Sequence, residues 1–565
     1  MKVKEYYKFV EDTAYYTQDK QEEQMDIALY GLVGEIGSLI TEIKKQLLAP
    51  DQKWNHPTPD IIEELGDVLW YCFAFLLAYK QRPFDILAFD LRNLQKEIGA
   101  EDNRSRAIHR TLSTKRANQF LAKSKQLLKQ KNFTFQQYQN TAFLTARTAN
   151  KELLEVCLAV LQQLGAQLMR SKLPPIEIKL NKEVIDRPTD KIVGEIIWHI
   201  SALARLYGIT LTKVLQENED KISDREVRTA ENRTPLHDLD VPAQYKLPRR
   251  MEIAFVKISR TKARMYKDGK PLGDDLTDNV YREDGYRFHD VMHLAHAAYL
   301  GWSPVLRKLL GLKRKHKNKI DEVEDGARAG IVEEAVLKIV HSEGTRADEL
   351  LPRKKGEIRQ LFPERSKISN GMLKSIRNLV KGLEAYKNRY WEWEEAITNG
   401  HKAFYDLRVE EQGTINIDLN RRELSFSPHV FMEIHGGLIN SGIGEAESRE
   451  TKSIHQWMRY LTDREQAALP TSQRRASLQM RRLLACKRAC LNSLGIKRTS
   501  AKALKSVEIS FGQKKNQISV KVSGQVREEM WAQEVITFRL DLTEAQNKSI
   551  CVSAAIGDIE TPSND

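Results

Sequence analysis

The chain has 565 residues, enough for roughly three or four domains with sizeable cores. Its net charge of +13 suits nucleic acids and polyanionic small substrates equally, so charge alone does not separate these two classes of partner. No apolar run reaches transmembrane length, the first residues lack the apolar core of a signal peptide, and the five scattered cysteines offer no paired Cys-x-x-Cys zinc motif, so we expect a cytoplasmic protein without a membrane partner.

The first chemically distinctive element is a predicted helix around residues 29–43. Its apolar residues recur at helical spacing and predict one buried stripe, formed by Leu29, Leu32, Ile36, Leu39, Ile40 and Ile43. Glu35, Ser38 and Glu42 follow at intervals of three and four residues, so they share a second face beside that stripe. The helix therefore carries carboxylates next to the surface that should pack.

A second helix is predicted to begin after Thr58, which can cap it, and Pro59 suits its first turn. Glu64 and Asp67 then lie one turn apart on one face. Residues 68–79 are apolar almost all round, as is typical of a helix buried in a bundle.

Packing these two helices together would bring their carboxylates to the edge of an apolar seam. Like charges at close range repel unless a cation lies between them. Carboxylate oxygens are hard ligands, and Mg²⁺ is usually bound through a few carboxylates together with substrate phosphates. The pattern predicts a Mg²⁺ site, with Mn²⁺ as the alternative ion, that binds a polyphosphate. The alternative interpretation is that these glutamates are solvated charges on amphipathic helices.

Residues 1–103 resemble the all-α nucleoside triphosphate pyrophosphohydrolases of the MazG type. In that family an E-x-x-E helix precedes an E-x-x-D helix that is usually written EELGDVLWY. Residues 63–71 read EELGDVLWY in this chain, and residues 31–37, GLVGEIG, match the first helix. The resemblance implies an all-α fold and hydrolysis of a nucleoside triphosphate to the monophosphate and pyrophosphate.

The same resemblance implies that Glu35, Glu64 and Asp67 hold Mg²⁺ and act in catalysis. Ser38 stands where the family has the second acid of the first pair, and Glu42, one turn further on the same face, is the candidate replacement ligand.

Three further residues are candidates for substrate binding. Ser38 lies on the acidic face, and Lys53 and Trp54 lie in the loop between the two helices, where they can supply a cation and a stacking surface. A surface loop with no such role is the alternative.

A second unit is predicted at residues 104–228. Segments of this unit are similar to segments of the first, namely residues 133–138, 153–168 and 191–199, which correspond to residues 3–7, the first acidic helix and residues 63–71. Residues 206–218 look like the closing segment of the same family. We interpret the pattern as a tandem repeat whose second copy has lost most of its acids and packs on the first as a built-in dimer partner. Coincidental similarity between amphipathic helices is the alternative.

A further helical domain is predicted at residues 229–405. His289 and His293 stand four residues apart with Asp290 beside them, and two histidines at that spacing on a helix can chelate one transition metal. A third ligand can come from either of two later acids, Glu333 and Glu334. Alternatively, these acids pair with the histidines inside a helical bundle.

Residues 286–302 look like a domain that follows MazG-type modules in some bacterial proteins, a resemblance that implies no activity.

Residues 406–565 change in composition and predict a small α+β domain. Strands are predicted at residues 414–419, 424–426, 507–511, 517–522 and 535–542, and helices at residues 453–461 and 472–494. The second of these helices is strongly basic and can contact nucleic acid or another protein, although a solvated helix explains it as well.

Together these elements predict a mainly α protein with tandem MazG-like bundles, a further helical domain and a small α+β domain. The favoured function is a Mg²⁺-dependent nucleoside triphosphate pyrophosphohydrolase, releasing (d)NMP and pyrophosphate in nucleotide-pool control or phage defence. The alternatives are a catalytically weak nucleotide sensor or scaffold that signals to the C-terminal domains, a metallohydrolase centred on His289 and His293, and a nucleic-acid binder. A homo-oligomer is left open.

Overall fold

The structure is a computed structural model, and it describes most residues of the chain. These are residues 1–558 except 15–20, 50–52, 82–84, 100–111, 131, 147, 173–187, 279–280, 282–283, 353, 355–356, 448–453, 498–499, 515–516 and 546–547. The chain divides into two compact units, Met1–Arg228 and Thr229–Asp565. The predicted division at residues 103 and 104 falls outside the described residues. The expected fold class, mainly α with a smaller α+β part, is confirmed.

The first unit is built from helices around one hydrophobic core. In chain order they are α1 (Val3–Thr13), α2 (Gln21–Leu48), α3 (Pro59–Ala78), α4 (Ile86–Gly99), α5 (Thr114–Leu128), α6 (Phe135–Ala142), α7 (Lys151–Lys172), α8 (Thr189–Leu206) and α9 (Leu211–Glu226). A 3₁₀ turn, Phe143–Thr145, follows α6.

Helices α2 and α3 pack against each other as their apolar patterns predict. Five residues of the predicted α2 stripe are fully buried: Leu29, Leu32, Ile36, Leu39 and Ile43. Helix α3 begins as expected, because the Thr58 hydroxyl accepts a hydrogen bond from the Ile61 amide at 3.2 Å and Pro59 occupies the first turn. This packing places the acidic faces of both helices side by side.

Helices α4 and α9 make matching contacts in the first unit. Helix α9 packs on α3, and α4 packs on α8. Tyr6 donates to Asn218 Oδ1 at 2.8 Å, and Tyr138 donates to Asp90 Oδ2 at 2.6 Å. Because Asn218 lies on α9 and Asp90 lies on α4, each of these two helices accepts a hydrogen bond from a buried tyrosine hydroxyl.

The second unit starts with two 3₁₀ turns, Ala230–Asn232 and Ala243–Tyr245, which are followed by strands β1 (Arg250–Lys257), β2 (Ala263–Lys267) and β3 (Lys270–Pro271). Helices follow: α10 (Val291–Ala295), α11 (Pro304–Leu309), α12 (Asn318–Val323), α13 (Ala327–Glu349), α14 (Asn370–Leu379) and α15 (Tyr390–Glu410), with a 3₁₀ turn at Tyr286–Phe288 and a π-helical turn at His296–Leu300. Strands β4 (Gln412–Asp418) and β5 (Glu423–Ser427) come next.

These five strands form one antiparallel sheet in the order β3-β2-β1-β4-β5. Strand β1 pairs with β4, and Ile253 lies opposite Ile415. Residues 229–405, predicted as a helical domain, contain the helices α10–α15 together with strands β1–β3, and their sheet is completed by β4 and β5 from beyond residue 405. The pairing of β1 with β4 joins residues far apart in the chain. Strands β1, β2 and β3 pair locally, and the two-residue turn Asp268-Gly269 between β2 and β3 was a hairpin signal that was missed from the sequence.

The remaining elements are β6 (Gly437–Glu447), α16 (Ile454–Trp457), α17 (Asp463–Ala467), α18 (Gln473–Ser493), α19 (Ala501–Lys505), β7 (Val507–Phe511), β8 (Ile518–Val522), α20 (Gly524–Ala532), β9 (Thr537–Ala545) and β10 (Lys548–Gly557). Strands β6, β10 and β9 form a sheet in that order against which α18 packs, and β7 pairs with β8. Strands β6 and β10 were not predicted.

Among the described residues, no single helix has the length and apolar composition needed to cross a membrane. Helices α8 and α9, bent by 103°, meet that criterion only as a pair.

Candidate functional site

An acidic cluster forms where α2 packs on α3. Glu35 on α2 and Glu64 and Asp67 on α3 each place one carboxylate oxygen within 4.8 Å of those of the other two. Glu64 and Asp67 are one turn apart, so a single helix face directs both towards Glu35. The structure thus brings together three of the four acids proposed from the sequence.

Glu42 lies outside this cluster. Its carboxylate pairs with Lys45 Nζ at 2.5 Å, and the group of described acids whose oxygens come so close contains Glu35, Glu64 and Asp67 without it. The suggestion that Glu42 replaces the missing acid is corrected. Seven residues separate Glu35 from Glu42, which is two helical turns or about 10 Å along the axis.

The candidate substrate-binding residues have different environments. Ser38 is half-buried on α2, and Lys53 is exposed. Trp54 packs partly buried against the core of the first unit. The loop that carries Lys53 and Trp54 is attached to α2, because Gln46 Nε2 donates to the carbonyl oxygens of Lys53 and His56.

Two residues of α9, Asn218 and Lys221, complete the acidic cluster, and neither was predicted from the sequence. Asn218 Nδ2 donates to Asp67 Oδ1 at 2.9 Å. Lys221 Nζ donates to Asp67 Oδ2 at 2.5 Å and lies 2.8 Å from Glu63 Oε1. The similarity of residues 206–218 to a closing segment marked this helix, but it did not reveal that the helix reaches a carboxylate about 150 positions earlier in the chain.

The electrostatics of the cluster favour a cation. Burial and repulsion by Asp67 and Glu35 raise the pKa of Glu64 to about 8. Burial and Asp67 also raise the pKa of Glu35. Burial opposes the charge of Lys221, but Asp67 and Glu63 outweigh it and raise the pKa of that ammonium. The carboxylates of the cluster outnumber the single ammonium group of Lys221, so the cluster keeps an excess of negative charge.

The residues of the cluster fit a divalent metal ion. Glu64 Oε2 is buried and has no hydrogen-bond partner among the residues that the structure describes. An acceptor in that state is costly unless a proton or a cation reaches it. Three clustered carboxylates also form the hard oxygen donor set that Mg²⁺ and Mn²⁺ accept.

A second cluster lies in the second unit, between the start of α10 and α13. His293 Nε2 is 3.1 Å from Glu334 Oε1, and His293 Nδ1 is 2.9 Å from Glu333 Oε1. His289 Nε2 is 3.2 Å from Asp290 Oδ1. All five residues predicted for a second site therefore lie in one cluster.

His296 belongs to the same cluster and was missed from the sequence. Its Nδ1 lies 3.1 Å from Glu333 Oε1. Burial would raise the pKa of Glu333, but the positive charge and hydrogen bonds of His293 and His296 hold it well below its usual value. Glu333 correspondingly raises the pKa of His293 despite burial.

Comparison with known proteins bears on the second unit. Residues 232–430 match the family model of the MazG C-terminal domain. No curated protein matches the chain. A solved structure, the holo-ACP-synthase from Plasmodium yoelii, aligns with 22% of this chain and 98% of its own at 18% identity and a TM-score of 0.20. The predicted similarity of residues 286–302 to a MazG-associated domain is confirmed, and the chain contains a region similar to the MazG C-terminal domain.

Proposed function

We propose that the first unit is a Mg²⁺-dependent nucleoside triphosphate pyrophosphohydrolase that releases (d)NMP and pyrophosphate. The observation that carries the proposal is the convergence of Glu35, Glu64 and Asp67 from two helices whose sequences resemble the MazG type. The MazG C-terminal match in the second unit adds support for a nucleotide-related role.

Glu35, Glu64 and Asp67 would hold Mg²⁺, with Mn²⁺ as the alternative ion. When bound, the ion supplies charge neutralisation for the phosphates and acidifies a water molecule for attack. Glu64 must release its proton to serve as a ligand, because only the carboxylate binds a hard cation well. Asn218 holds one oxygen of Asp67 and thereby orients that carboxylate.

Lys221 gives the cluster a fixed positive charge. An ammonium has three N–H donors, and Lys221 directs its charge at Asp67 and Glu63. The remaining donor capacity is suited to an oxygen of a triphosphate. We assign Lys221 the binding and orientation of the phosphate chain.

The proposal includes a tandem repeat in which the second half supports the first. The matched contacts of Tyr6 with Asn218 and of Tyr138 with Asp90 support it. In each pair, a helix late in one half meets a tyrosine early in the other half. The second half then contributes Asn218 and Lys221 to the acidic cluster.

The test is a panel of ribo- and deoxyribonucleoside triphosphates incubated with the full chain and Mg²⁺, with products identified by chromatography. We expect monophosphate and pyrophosphate, no turnover with EDTA, and a loss of about a hundredfold or more in Glu64→Gln, since a metal ligand is removed. Glu42→Gln is the matched control, because Glu42 is an acid of α2 that lies outside the acidic cluster, and this variant should keep wild-type turnover. Equal turnover in wild type and Glu64→Gln would refute the proposal.

The second candidate function is a nucleotide sensor or scaffold, and Ser38 is the observation that favours it. With Ser38 in place of an acid, the cluster has three carboxylates instead of four. Nucleotide binding measured by calorimetry without product formation would favour this second function over the first.

A further inference from the structure

We propose that His289, Asp290, His293 and Glu334 bind one divalent first-row transition-metal ion of the zinc type. The site is separate from the acidic cluster of the first unit, and its donors are two imidazoles and two carboxylates. Imidazole nitrogens favour ions such as Zn²⁺ over Mg²⁺, which prefers oxygen ligands alone.

His289 presents one nitrogen with a free lone pair. Its Nδ1 lies 2.8 Å from the Tyr286 carbonyl oxygen, so Nδ1 carries the hydrogen and Nε2 is the ligand nitrogen. The ring of Tyr286 stacks on the imidazole at 4.1 Å between centroids and 5° between planes. Nε2 is thereby held 3.2 Å from Asp290 Oδ1.

His293 lies against a buried carboxylate. Glu333 is fully buried, and its Oε2 accepts hydrogen bonds from Ser303 Oγ at 3.2 Å and the Val305 amide at 3.0 Å. Its Oε1 lies 2.9 Å from His293 Nδ1, at ion-pair distance but without hydrogen-bond geometry, and Nε2 of His293 contacts Glu334 Oε1 at 3.1 Å. A carboxylate behind a histidine, with the other ring nitrogen facing outward, is the usual support of a metal-bound imidazole.

Two pairs of donor atoms are spaced as they would be around a small ion, whereas Glu334 joins the group of His289, Asp290 and His293 only through its contact with His293. Zinc bonds of about 2.0–2.1 Å place two ligand atoms of a tetrahedral site about 3.3 Å apart. The His289–Asp290 and His293–Glu334 pairs are 3.2 and 3.1 Å apart. Donor atoms of His289, Asp290 and His293 all lie within 4.8 Å of one another.

The site is buried at one end and open at the other. The His293 side chain is 1% exposed, whereas that of Glu334 is 45% exposed. An ion can therefore enter past Glu334 and reach histidines that are shielded from water. The competing explanation is that a proton takes the place of the ion and His293 remains an imidazolium between Glu333 and Glu334.

The test is metal analysis of the full chain purified without added chelator, followed by Zn²⁺ titration against a chromophoric chelator and Co²⁺ absorption spectra. We expect about one transition-metal ion per chain and tetrahedral Co²⁺ bands, as four mixed nitrogen and oxygen ligands produce. Glu64→Gln should retain this ion, which separates it from any ion held in the first unit.

Two variants and a control decide the assignment. Glu334→Gln changes a half-exposed side chain and should weaken Zn²⁺ binding by at least tenfold, and His289→Ala should abolish stoichiometric binding. His435→Ala, an exposed histidine elsewhere in the same unit, should bind like wild type. Absence of Zn²⁺ binding in folded wild-type protein, or unchanged binding in both site variants, would overturn the proposal in favour of the protonated His293.

Discussion

The pKa of Glu64 shows how burial and neighbouring charges change the properties of a single residue. The side chain lies beside two other carboxylates, and one of its oxygens is buried without a hydrogen bond among the described residues. Its pKa is raised to about 8 from an ordinary value of 4.5. Without a metal ion, this residue holds a proton that the unfolded chain would release.

This difference predicts the pH dependence of stability in metal-free protein. Between pH 4.5 and about 8 the folded state keeps the Glu64 proton and the unfolded state loses it, so the free energy of unfolding should fall as pH rises through that interval. The stabilising contribution is complete below the lower value and gone above the upper one. Urea unfolding in EDTA at a series of pH values measures it, and Glu64→Gln should flatten the dependence.

Metal binding should displace the proton of Glu64, because a cation binds the ionised carboxylate. At pH 7 we expect Mg²⁺ to release close to one proton per ion, detectable by calorimetry in buffers of different ionisation enthalpy. A wild-type release equal to that of Glu64→Gln would contradict the assignment of Glu64 as a ligand.

At the scale of elements, the approach of α9 to α3 depends on a glycine. A Cβ atom at Gly66 would lie 2.8 Å from Asn218 Cβ, closer than packed carbons tolerate. The small residue lets α9 come near enough for Asn218 and Lys221 to reach Asp67. The glycine in EELGDVLWY thus has a packing role that the motif alone does not explain.

We therefore expect Gly66→Ala to separate α9 from α3, destabilise the protein by about 1–3 kcal/mol and reduce nucleotide turnover. Gly34→Ala is the matched control, because Gly34 is an exposed glycine in α2 with nothing within 4 Å of its added Cβ. It should stabilise the protein by about 0.5–1 kcal/mol through helix propensity. Denaturant unfolding and the turnover assay compare the two; a neutral Gly66→Ala would argue against close packing here.

Local patterns were sufficient for several elements and failed for others. The Thr58 cap and the buried stripe of α2 follow from sequence spacing, and the structure shows both. Strand β1 was missed because only its first residues alternate between exposed and buried. One of its partners, β4, is about 160 positions away, whereas the other, β2, follows within a few residues.

At the scale of the whole molecule, the first unit has its own hydrophobic core and contains every residue assigned to the acidic cluster. Residues 1–103 alone would lack α9 and so lose Asn218 and Lys221. The proposed tandem arrangement therefore predicts different activities for fragments that keep or lose α9.

Residues 1–228 expressed alone should fold and keep the metal-dependent turnover of the full chain, whereas residues 1–103 should lose it. The physical reason is that α3 is apolar on most of its surface and depends on α8 and α9 for burial. Circular dichroism and the nucleotide assay measure both fragments. Full activity in residues 1–103 would show that α9 is dispensable.

By itself the sequence determined the helical periodicity, the cap of α3 and the face shared by Glu64 and Asp67, because these depend on neighbours within one or two turns. Only the tertiary structure decided that Lys221 and Asn218 meet Asp67, that Glu42 stays apart, and that Glu333 lies behind His293 and His296. Such contacts join residues far apart in the chain, and their formation depends on how whole helices pack.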